Sequence, residues 1–438
     1  MGKNIIMFSP EYWCKNNGTV LSGSTSDIEI WGGMGRVVSD VSEAIAKQGY
    51  DVTVFARRKG KNNSPVFPES FYKKENIVHY QPVKGVNVFG IPPCTGLGDR
   101  IQKGSWKLYE GQPRDCVVNW DGVFTTMNYI YDFNEDVRRK LEDTGNTVVH
   151  GHDFFGSQFI YNLKTSWKLP DLKSVLSVHM SNPRDKNLIE SDERLQWENK
   201  GCKLADKVHA VSNYQRNIVV NKYQLRPEKV IAIPNGVNTE LFRPKTEQDE
   251  ATDREIVERY MGKQLYVIFW GRMEPVKGIS ELVRGFSESS LTSYYQLGIF
   301  AMPSNNDYYK TVMKVRDELP SDVREKVKIH MGKIDEISVL ARNAALSIFP
   351  SWEESFGLVA IESLASGVPT VVTGTGGFKE TVNEKVGVFI DSPNPRSIKG
   401  GLEQAIAIKE NLAQNARSHA EKYSWDSIAE RYIRELYN

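Results

Sequence analysis

The sequence predicts an α/β fold with two domains, each built on a doubly wound parallel sheet. Two observations support this prediction. The chain has 438 residues, which is more than one hydrophobic core usually organises. Short apolar runs of strand length also alternate with amphipathic helical segments, as expected where helices connect parallel strands.

Composition and charge exclude several other classes of protein. The 56 basic and 55 acidic residues give a net charge of +1, so nothing favours a nucleic-acid partner. No apolar run approaches the roughly 20 residues of a membrane span, and the N-terminus leads directly into a strand, so we expect neither a transmembrane segment nor a signal peptide. The cysteines lack metal-ligand spacing, which favours reduced thiols in a cytoplasmic protein. They are Cys14, Cys94, Cys116 and Cys202.

The first domain opens with a strand, a glycine-rich loop, a helix and a second strand. The apolar segment from Asn4 to Ser9 predicts the first strand, residues 36–48 the helix and residues 51–56 the next strand. Glycines at the entry to the helix let backbone N–H groups approach a phosphate or a sugar, although glycines also serve tight packing between a strand and a helix. The glycines of this loop are Gly32, Gly33 and Gly35.

The regular pattern is lost between about residues 59 and 134, where Gly, Pro, Asn and aromatic residues are frequent. We interpret this segment as an insertion into the first domain, with a short strand from Val86 to Ile91. Its aromatic side chains can stack on a sugar ring or simply pack the insertion, and the sequence leaves both open. They are Trp106, Tyr109, Trp120, Phe124, Tyr129 and Tyr131.

Histidines follow two of the predicted strands after the insertion. The strand at Val148 and Val149 ends in His152 and Asp153, and the strand of residues 174–178 ends in His179. Ligand-binding groups of α/β folds lie at the carboxyl ends of the strands, although a single histidine is more often a structural residue. These three residues are therefore candidates for a ligand site in the first domain.

Two basic residues mark the start of the second domain. The strand of residues 265–270 leads into a loop that carries Arg272 and Lys277 just before a helix. Arginine offers a planar fork of donors and lysine a point charge, and together they suit a diphosphate. Basic loop residues are often only solvated, so the pair alone does not decide.

Residues 346–377 predict a strand, a loop, a helix and a further strand. Ser355 is expected to cap the helix, and Gly367 to end it. Glu354 and Glu362 are eight positions apart, which at the helical rise is roughly 12 Å, about the distance from the sugar to the ribose of a nucleotide diphosphate sugar. The helix N-terminus between them attracts phosphate. The alternative is that both are surface glutamates of an amphipathic helix.

This stretch resembles the signature of the retaining glycosyltransferases with the GT-B fold, the group 1 family that includes bacterial glycogen synthases and sucrose-phosphate synthases. The matching residues are Pro350-Ser351, Glu354-Ser355-Phe356-Gly357, Glu362, Gly367-Val368-Pro369, Gly376-Gly377 and Glu380. The resemblance implies two Rossmann-like domains that face a cleft. The acceptor-side domain would span residues 1–238, the nucleotide-sugar domain residues 239–422, and a helix over residues 423–438 would cross back to the first domain.

The resemblance also implies roles for individual residues. Arg272 and Lys277 would bind the leaving diphosphate, Glu354 and His152 would position the transferred sugar, and Glu362 would bind the ribose. The catalytic residues would be His152, Arg272, Lys277 and Glu354. The donor would also contact Gly32, Gly33, Gly35, Ser355, Phe356, Gly357 and Leu358, and residues 332–335 would lie near the nucleobase. His179 and Asp153 would belong to the acceptor side.

The implied reaction is retaining transfer of a hexosyl group, here interpreted as glucosyl, from an ADP-, UDP- or GDP-linked donor to a carbohydrate hydroxyl. No cofactor and no metal are expected, because two cations and helix dipoles can stabilise the leaving group and the sequence has no Asp-x-Asp motif. A glucan acceptor is favoured, although Ile30 stands where glycogen synthases usually have lysine in Lys-x-Gly-Gly. A small-molecule or lipid-linked acceptor, a phosphorylase or epimerase of the same architecture, and a catalytically silent nucleotide-sugar sensor are the alternatives.

Overall fold

The structure is a computed structural model that describes residues 3–9, 12, 19–22, 33–57, 74, 77–91, 126, 129–130, 134–180, 192–332 and 334–438. It consists of two compact units. The first contains Met1–Pro234 together with Ile428–Asn438, and the second contains Asn235–Ser427.

The first unit is a sheet with helices on its faces. Its strands are β1 (Asn4–Ser9), β2 (Thr19–Ser22), β3 (Asp51–Arg57), β4 (Val78–Gln81), β5 (Val86–Ile91), β6 (Thr147–His152), β7 (Lys173–Val178), β8 (Lys207–Ala210) and β9 (Val230–Ala232). Its helices are α1 (Gly33–Lys47), α2 (Glu135–Glu142), α3 (Asp153–Thr165), α4 (Glu193–Leu204) and α5 (Asn213–Tyr223). The strand order is β2-β4-β5-β3-β1-β6-β7-β8-β9.

Among the described strands most neighbours are parallel, and the two antiparallel pairs both involve β4, which pairs with β2 and with β5. The central strands β1 and β6 are buried along almost their whole length, as expected where helices cover both faces, and β1 is mostly apolar. Strand β5 lies within the segment that we interpret as an insertion, yet it pairs in parallel with β3 and is part of the main sheet. Of the aromatic residues predicted to stack on a sugar, Tyr129 is buried among Phe55 and Phe89, and the other five lie outside the described residues.

The second unit has a sheet with the order β12-β11-β10-β13-β14-β15, in which every pairing is parallel. Its strands are β10 (Leu265–Arg272), β11 (Tyr295–Met302), β12 (Val327–Met331), β13 (Leu346–Phe349), β14 (Thr370–Thr373) and β15 (Gly387–Ile390). Its helices are α6 (Glu250–Met261), α7 (Ile279–Ser287), α8 (Asn306–Asp317), α9 (Ser321–Arg324), α10 (Ile337–Arg342), α11 (Leu358–Ala365), α12 (Phe378–Thr381), α13 (Pro395–Ala407) and α14 (Lys409–Glu421).

The predicted start of α11 is wrong. The helix begins at Leu358, and the residue before it is Gly357, with a left-handed φ of 95° and no capping side chain. A Cβ on Gly357 would lie 2.6 Å from the ring of Phe378, so the chain turns here because glycine fits. Glu354 therefore lies in a loop, and the helical-rise estimate of its distance from Glu362 holds only for the second half of that interval.

The chain ends in helix α15 (Trp425–Arg431) and a π-helical turn, Tyr432–Tyr437. From Ile428 onward these residues belong to the first unit. Lys3 Nζ donates to the carbonyl oxygen of Tyr437 at 2.9 Å, and Lys207 Nζ donates to that of Glu435 at 2.8 Å. These two bonds fix the last turn of the chain to the end of the sheet at which strands β1 and β8 begin.

Candidate active site

Three predicted site residues of the first unit come together at the carboxyl ends of β6 and β7. These strands are parallel neighbours, and His152 pairs in register with Ser177, so His179 follows directly beside it. The distance from His152 Nδ1 to His179 Nε2 is 2.8 Å, and the two rings stack at 5.1 Å between their centroids. Sequence reasoning placed both histidines at strand ends, and the strand order makes them a pair.

Asp153 is the first residue of α3 and has an unusual backbone. Its φ is 50°, which is rare for a residue other than glycine and is a form of strain typical of functional sites. Its Oδ1 accepts a hydrogen bond from the backbone N–H of His179 at 2.8 Å. Burial raises the pKa of the Asp153 carboxyl to about 7, against the opposing effect of that hydrogen bond. Asp153 therefore fixes the position of His179.

His152 is a buried, neutral imidazole. It has no exposed surface, and burial, followed by the proximity of His150, lowers its pKa well below the usual range. Burial also lowers the pKa of His179 to about 4. Within the described part of the chain the Nε2 atom of His152 has no hydrogen-bond partner. A buried polar atom without a partner is costly, so this atom is suited to bind a ligand.

In the second unit, Lys277 and Glu354 form an ion pair. Lys277 Nζ lies 2.7 Å from Glu354 Oε2, and each side chain is 17% exposed. Two loops bring them together. The N–H of Trp352 donates to the carbonyl of Val276 at 2.8 Å, and Gly278, with a φ of 65°, leaves room for the carbonyl of Pro350, which a Cβ would approach to 2.3 Å.

The glycine pair after β14 supports the loop of Glu354. The N–H of Gly377 donates to the carbonyl oxygen of Glu354 at 2.8 Å. Gly376 has a φ of 53°, and a Cβ there would lie 2.1 Å from the same oxygen. A Cβ on Gly377 would meet Phe356 Cα at 2.5 Å, and Phe356 itself is buried. Only glycines allow this close contact between the turn and the predicted donor loop.

Arg272 ends strand β10 and is paired with a residue that sequence reasoning missed. Its Nη1 donates to Glu274 Oε1 at 2.8 Å, and Ser304 Oγ donates to the same oxygen at 2.6 Å. The position of Glu274, two residues after Arg272 in the sequence, was the signal that could have indicated this pairing. The Arg272 side chain is 37% exposed, and the orientation of its guanidinium is set by this carboxylate.

Glu362 lies on α11 and is only 3% exposed, so it is not a surface residue of an amphipathic helix. Trp270 Nε1 donates to its Oε2 at 3.0 Å. Trp270 precedes Gly271 and Arg272 on β10, so this bond ties α11 to the strand that carries the arginine.

The remaining predicted donor residues are placed as follows. Gly33 and Gly35 lie in the first turn of α1, whereas Gly32 is outside the described residues. Ser355 is in the loop before Gly357, and Leu358 begins α11. Of the predicted nucleobase segment, residues 332–335, Gly332 follows β12 with a φ of 120°, and Lys333 lies outside the described residues. The roles of all these residues stay predictions.

None of the described helices is long and apolar enough to cross a membrane. Where the chain is described, no group of three or more His, Cys, Asp or Glu side chains is arranged to hold a metal ion.

Two family descriptions match this chain in succession. Glycosyltransferase Family 4 matches residues 31–241, and Glycosyl transferases group 1 matches residues 250–423. The chain is a glycosyltransferase of the group 1 family. The second match contains Arg272, Lys277, Glu354 and Glu362. The predicted group 1 family and the enzyme class are confirmed, whereas retention at the anomeric carbon stays a prediction.

Relatives and solved structures agree with this assignment. A D-inositol 3-phosphate glycosyltransferase of Corynebacterium glutamicum is 24% identical over 421 residues, covering 93% of this chain and 91% of its own length. Sucrose-phosphate synthase of Thermosynechococcus elongatus has a TM-score of 0.67 at 20% identity, covering 99% of this chain and 98% of that one. The catalytic domain of starch synthase IV of Arabidopsis thaliana, bound to ADP and acarbose, has a TM-score of 0.67 at 15% identity and covers 100% and 99%. The predicted GT-B fold is confirmed.

Proposed function

We propose that this glycosyltransferase transfers a glucosyl group from a nucleotide diphosphate sugar to a carbohydrate hydroxyl, with retention at the anomeric carbon. The ion pair of Lys277 and Glu354 carries the proposal, because it joins a cation suited to phosphate and a carboxylate suited to sugar hydroxyls at 2.7 Å. Loop contacts and three glycines hold the pair in place before any substrate binds. Preorganised charge of this kind stabilises a transition state without further rearrangement.

The basic residues would stabilise the leaving diphosphate. An ammonium group has three donors, and one proton of Lys277 satisfies Glu354, which leaves capacity for phosphate oxygens. Arg272 uses Nη1 for Glu274 and can offer its other donors to the diphosphate. The bond to Glu274 restricts the guanidinium, so less rotamer freedom is lost when the donor binds.

Glu362 would bind the ribose. A carboxylate accepts about four hydrogen bonds, and the bond from Trp270 fixes the orientation of this one. Ribose offers two neighbouring hydroxyl donors, which a held carboxylate can accept together. We also propose that the Nε2 of His152, which has no hydrogen-bond partner among the described residues, binds a hydroxyl of the transferred sugar, with His179 and Asp153 holding the imidazole from the acceptor side.

The carboxyl groups described above are poorly suited to act as a covalent nucleophile, which supports retention without a covalent intermediate. Glu354 is ion-paired with Lys277, which reduces its nucleophilicity, and Asp153 is engaged by the N–H of His179 and has a raised pKa. We therefore propose displacement on the same face of the sugar, with the leaving diphosphate taking the proton of the acceptor hydroxyl. The proposed mechanism uses no metal ion. We also propose a cytoplasmic location, because the cysteine usage favours reduced thiols.

Two acceptor classes are supported by different relatives. The fold shared with a starch synthase that binds acarbose supports a glucan acceptor. The inositol-phosphate enzyme matches nearly the whole chain and supports a small phosphorylated acceptor as the second candidate. The donor nucleotide is open among ADP, UDP and GDP.

The test is a turnover panel. The protein is incubated with ADP-, UDP- and GDP-glucose, each with glycogen, simple sugars, inositol phosphate or no acceptor, and release of nucleoside diphosphate is followed. We expect one donor to be consumed and one acceptor to stimulate its consumption. The product is then analysed by NMR, where an α-linkage from an α-linked donor supports retention and a β-linkage refutes it. Nucleoside diphosphate binding without turnover on any acceptor would favour the sensor.

A further inference from the structure

A chain of buried hydrogen bonds runs behind His152 to the end of the polypeptide. Tyr437 Oη lies 2.7 Å from His150 Nδ1, and His150 Nε2 lies 2.7 Å from Ser177 Oγ. Ser177 Oγ lies 2.7 Å from His209 Nδ1, and His209 Nε2 lies 2.8 Å from the carbonyl oxygen of Ile233. The four side chains have no exposed surface, and all of these residues belong to the first unit.

The direction of every bond in this chain follows from its last acceptor. The carbonyl of Ile233 can only accept, so His209 donates from Nε2, and its Nδ1, in a neutral ring, accepts from the Ser177 hydroxyl. Ser177 Oγ then accepts from Nε2 of His150, which leaves Nδ1 of His150 to accept from the Tyr437 hydroxyl. Burial lowers the pKa of His150 well below its usual range and that of His209 to about 3, so both rings are neutral.

Burial also keeps the Tyr437 hydroxyl, at the other end of this chain of hydrogen bonds, protonated. Tyr437 is fully buried, and burial raises the pKa of its hydroxyl well above the usual range, so it stays a donor. The bonds from Lys3 and Lys207 to the backbone of the final turn fix its position.

His150 is the link to the site. It lies two residues before His152 on β6, so the two side chains share one face of the sheet. Their rings stack with centroids 4.5 Å apart and an interplanar angle of 20°. A His150 ring that changed its tautomer, tilted or gained a proton would therefore displace or repel the ring of His152.

We propose that Tyr437, His150 and Ser177 are positioning residues for His152: their hydrogen bonds hold His150 as the neutral Nε2–H tautomer, and His152 stacks against this ring with its Nε2 left to bind the sugar. The inference rests on the role proposed above for His152. It assigns a task in the first unit to the last turn of the chain, whose Tyr437 is 287 positions from His150.

Two conservative variants test it. Tyr437→Phe removes the donor at one end, and Ser177→Ala breaks the chain in its middle. Tyr432→Phe is the matched control, because it removes the same atom from the same buried turn and its hydroxyl lies 3.4 Å from the His209 nitrogens, well beyond the 2.7 Å links. We expect Tyr437→Phe and Ser177→Ala to lower kcat about tenfold with the donor KM unchanged, and Tyr432→Phe to change kcat less than about twofold.

Two further readouts separate this inference from the proposed function. Nitrogen-detected NMR of the histidine rings without substrate should show Nε2–H for His150 in the wild type, and an altered His150 and shifted His152 resonances in Tyr437→Phe. Calorimetric binding of nucleoside diphosphate should be the same in all variants. Unchanged kcat in Tyr437→Phe, or equal losses in Tyr437→Phe and Tyr432→Phe, would overturn the inference. If no donor is turned over, the NMR decides: unshifted His152 resonances refute the coupling, whereas shifted resonances retain it and the proposed function fails.

Discussion

Replacing Gly376 by alanine gives a direct test of how the glycine pair supports Glu354. The new Cβ would lie 2.1 Å from the carbonyl oxygen of Glu354, whereas real Cβ contacts are essentially never below 3.0 Å, so the loop must move by about 0.9 Å. Misplacement of a reacting group by about 1 Å can lower the rate about 100-fold, or about 2.7 kcal/mol in activation free energy. The left-handed φ of 53° adds about 1 kcal/mol of backbone strain.

Gly262→Ala is the control for strain alone. Gly262 has a φ of 72° and a ψ of −153°, a conformation essentially limited to glycine, and nothing lies within 4 Å of a Cβ placed there, so the variant has a backbone cost of its own without any collision. The assay is kcat/KM for nucleoside diphosphate release, together with thermal melting. We expect both variants to lose stability, and a loss of activity, measured well below both melting temperatures, to be confined to Gly376→Ala. Activity of Gly376→Ala within about threefold of Gly262→Ala would refute the reasoning.

Three further predictions concern stability, pH and metal. Arg342→Met should destabilise the second unit by about 3–5 kcal/mol in denaturant unfolding, because it leaves the fully buried carboxylate of Asp253 without its cation, whereas Arg254→Met, in an exposed pair, should cost less than about 1 kcal/mol. Burial, with the neighbouring Asp153 carboxyl adding, raises the pKa of Glu198 from 4.5 to about 8. The folded state thus retains a proton that the unfolded chain releases, and the free energy of unfolding should fall between pH 5 and 8 by up to about 1.4 kcal/mol per pH unit. Glu198→Gln should reduce this slope, and an unchanged slope in the variant would contradict the prediction. Treatment with EDTA should leave turnover intact, and activity restored only by added Mg²⁺ or Mn²⁺ would refute the metal-free proposal.

The sequence was most informative where patterns are local. Apolar runs bounded by Gly or Pro located β1, β10 and β14 to within a few residues, and the motif residues identified the family. The start of α11 was missed because Gly357 takes a left-handed conformation that its neighbours do not reveal, and Ser355 looked like an ordinary cap. The helical pattern also allowed Glu362 to be a surface residue of α11. In the structure Glu362 is buried against Trp270 of the sheet.

Contacts between distant positions were beyond sequence reasoning. The bond from Tyr437 to His150 joins residues 287 positions apart, and the pairing of Lys277 with Glu354 spans 77 positions. Such pairs depend on strand order and loop closure, which a single sequence does not give. The alternation of His150 and His152 on one strand was a local signal that both rings lie on the same face, and it pointed toward the histidine chain without revealing its end.

The most direct test of the donor site is a calorimetric titration of UDP, ADP and GDP into the wild type, Lys277→Met and Lys310→Met. Lys310 is the control because its ion pair with Asp307 is exposed. We expect one nucleoside diphosphate to bind the wild type and Lys310→Met equally, and Lys277→Met to bind it at least about tenfold more weakly, as the loss of a charged hydrogen bond requires. Equal affinity in Lys277→Met, or no binding of any of the three, would contradict the account.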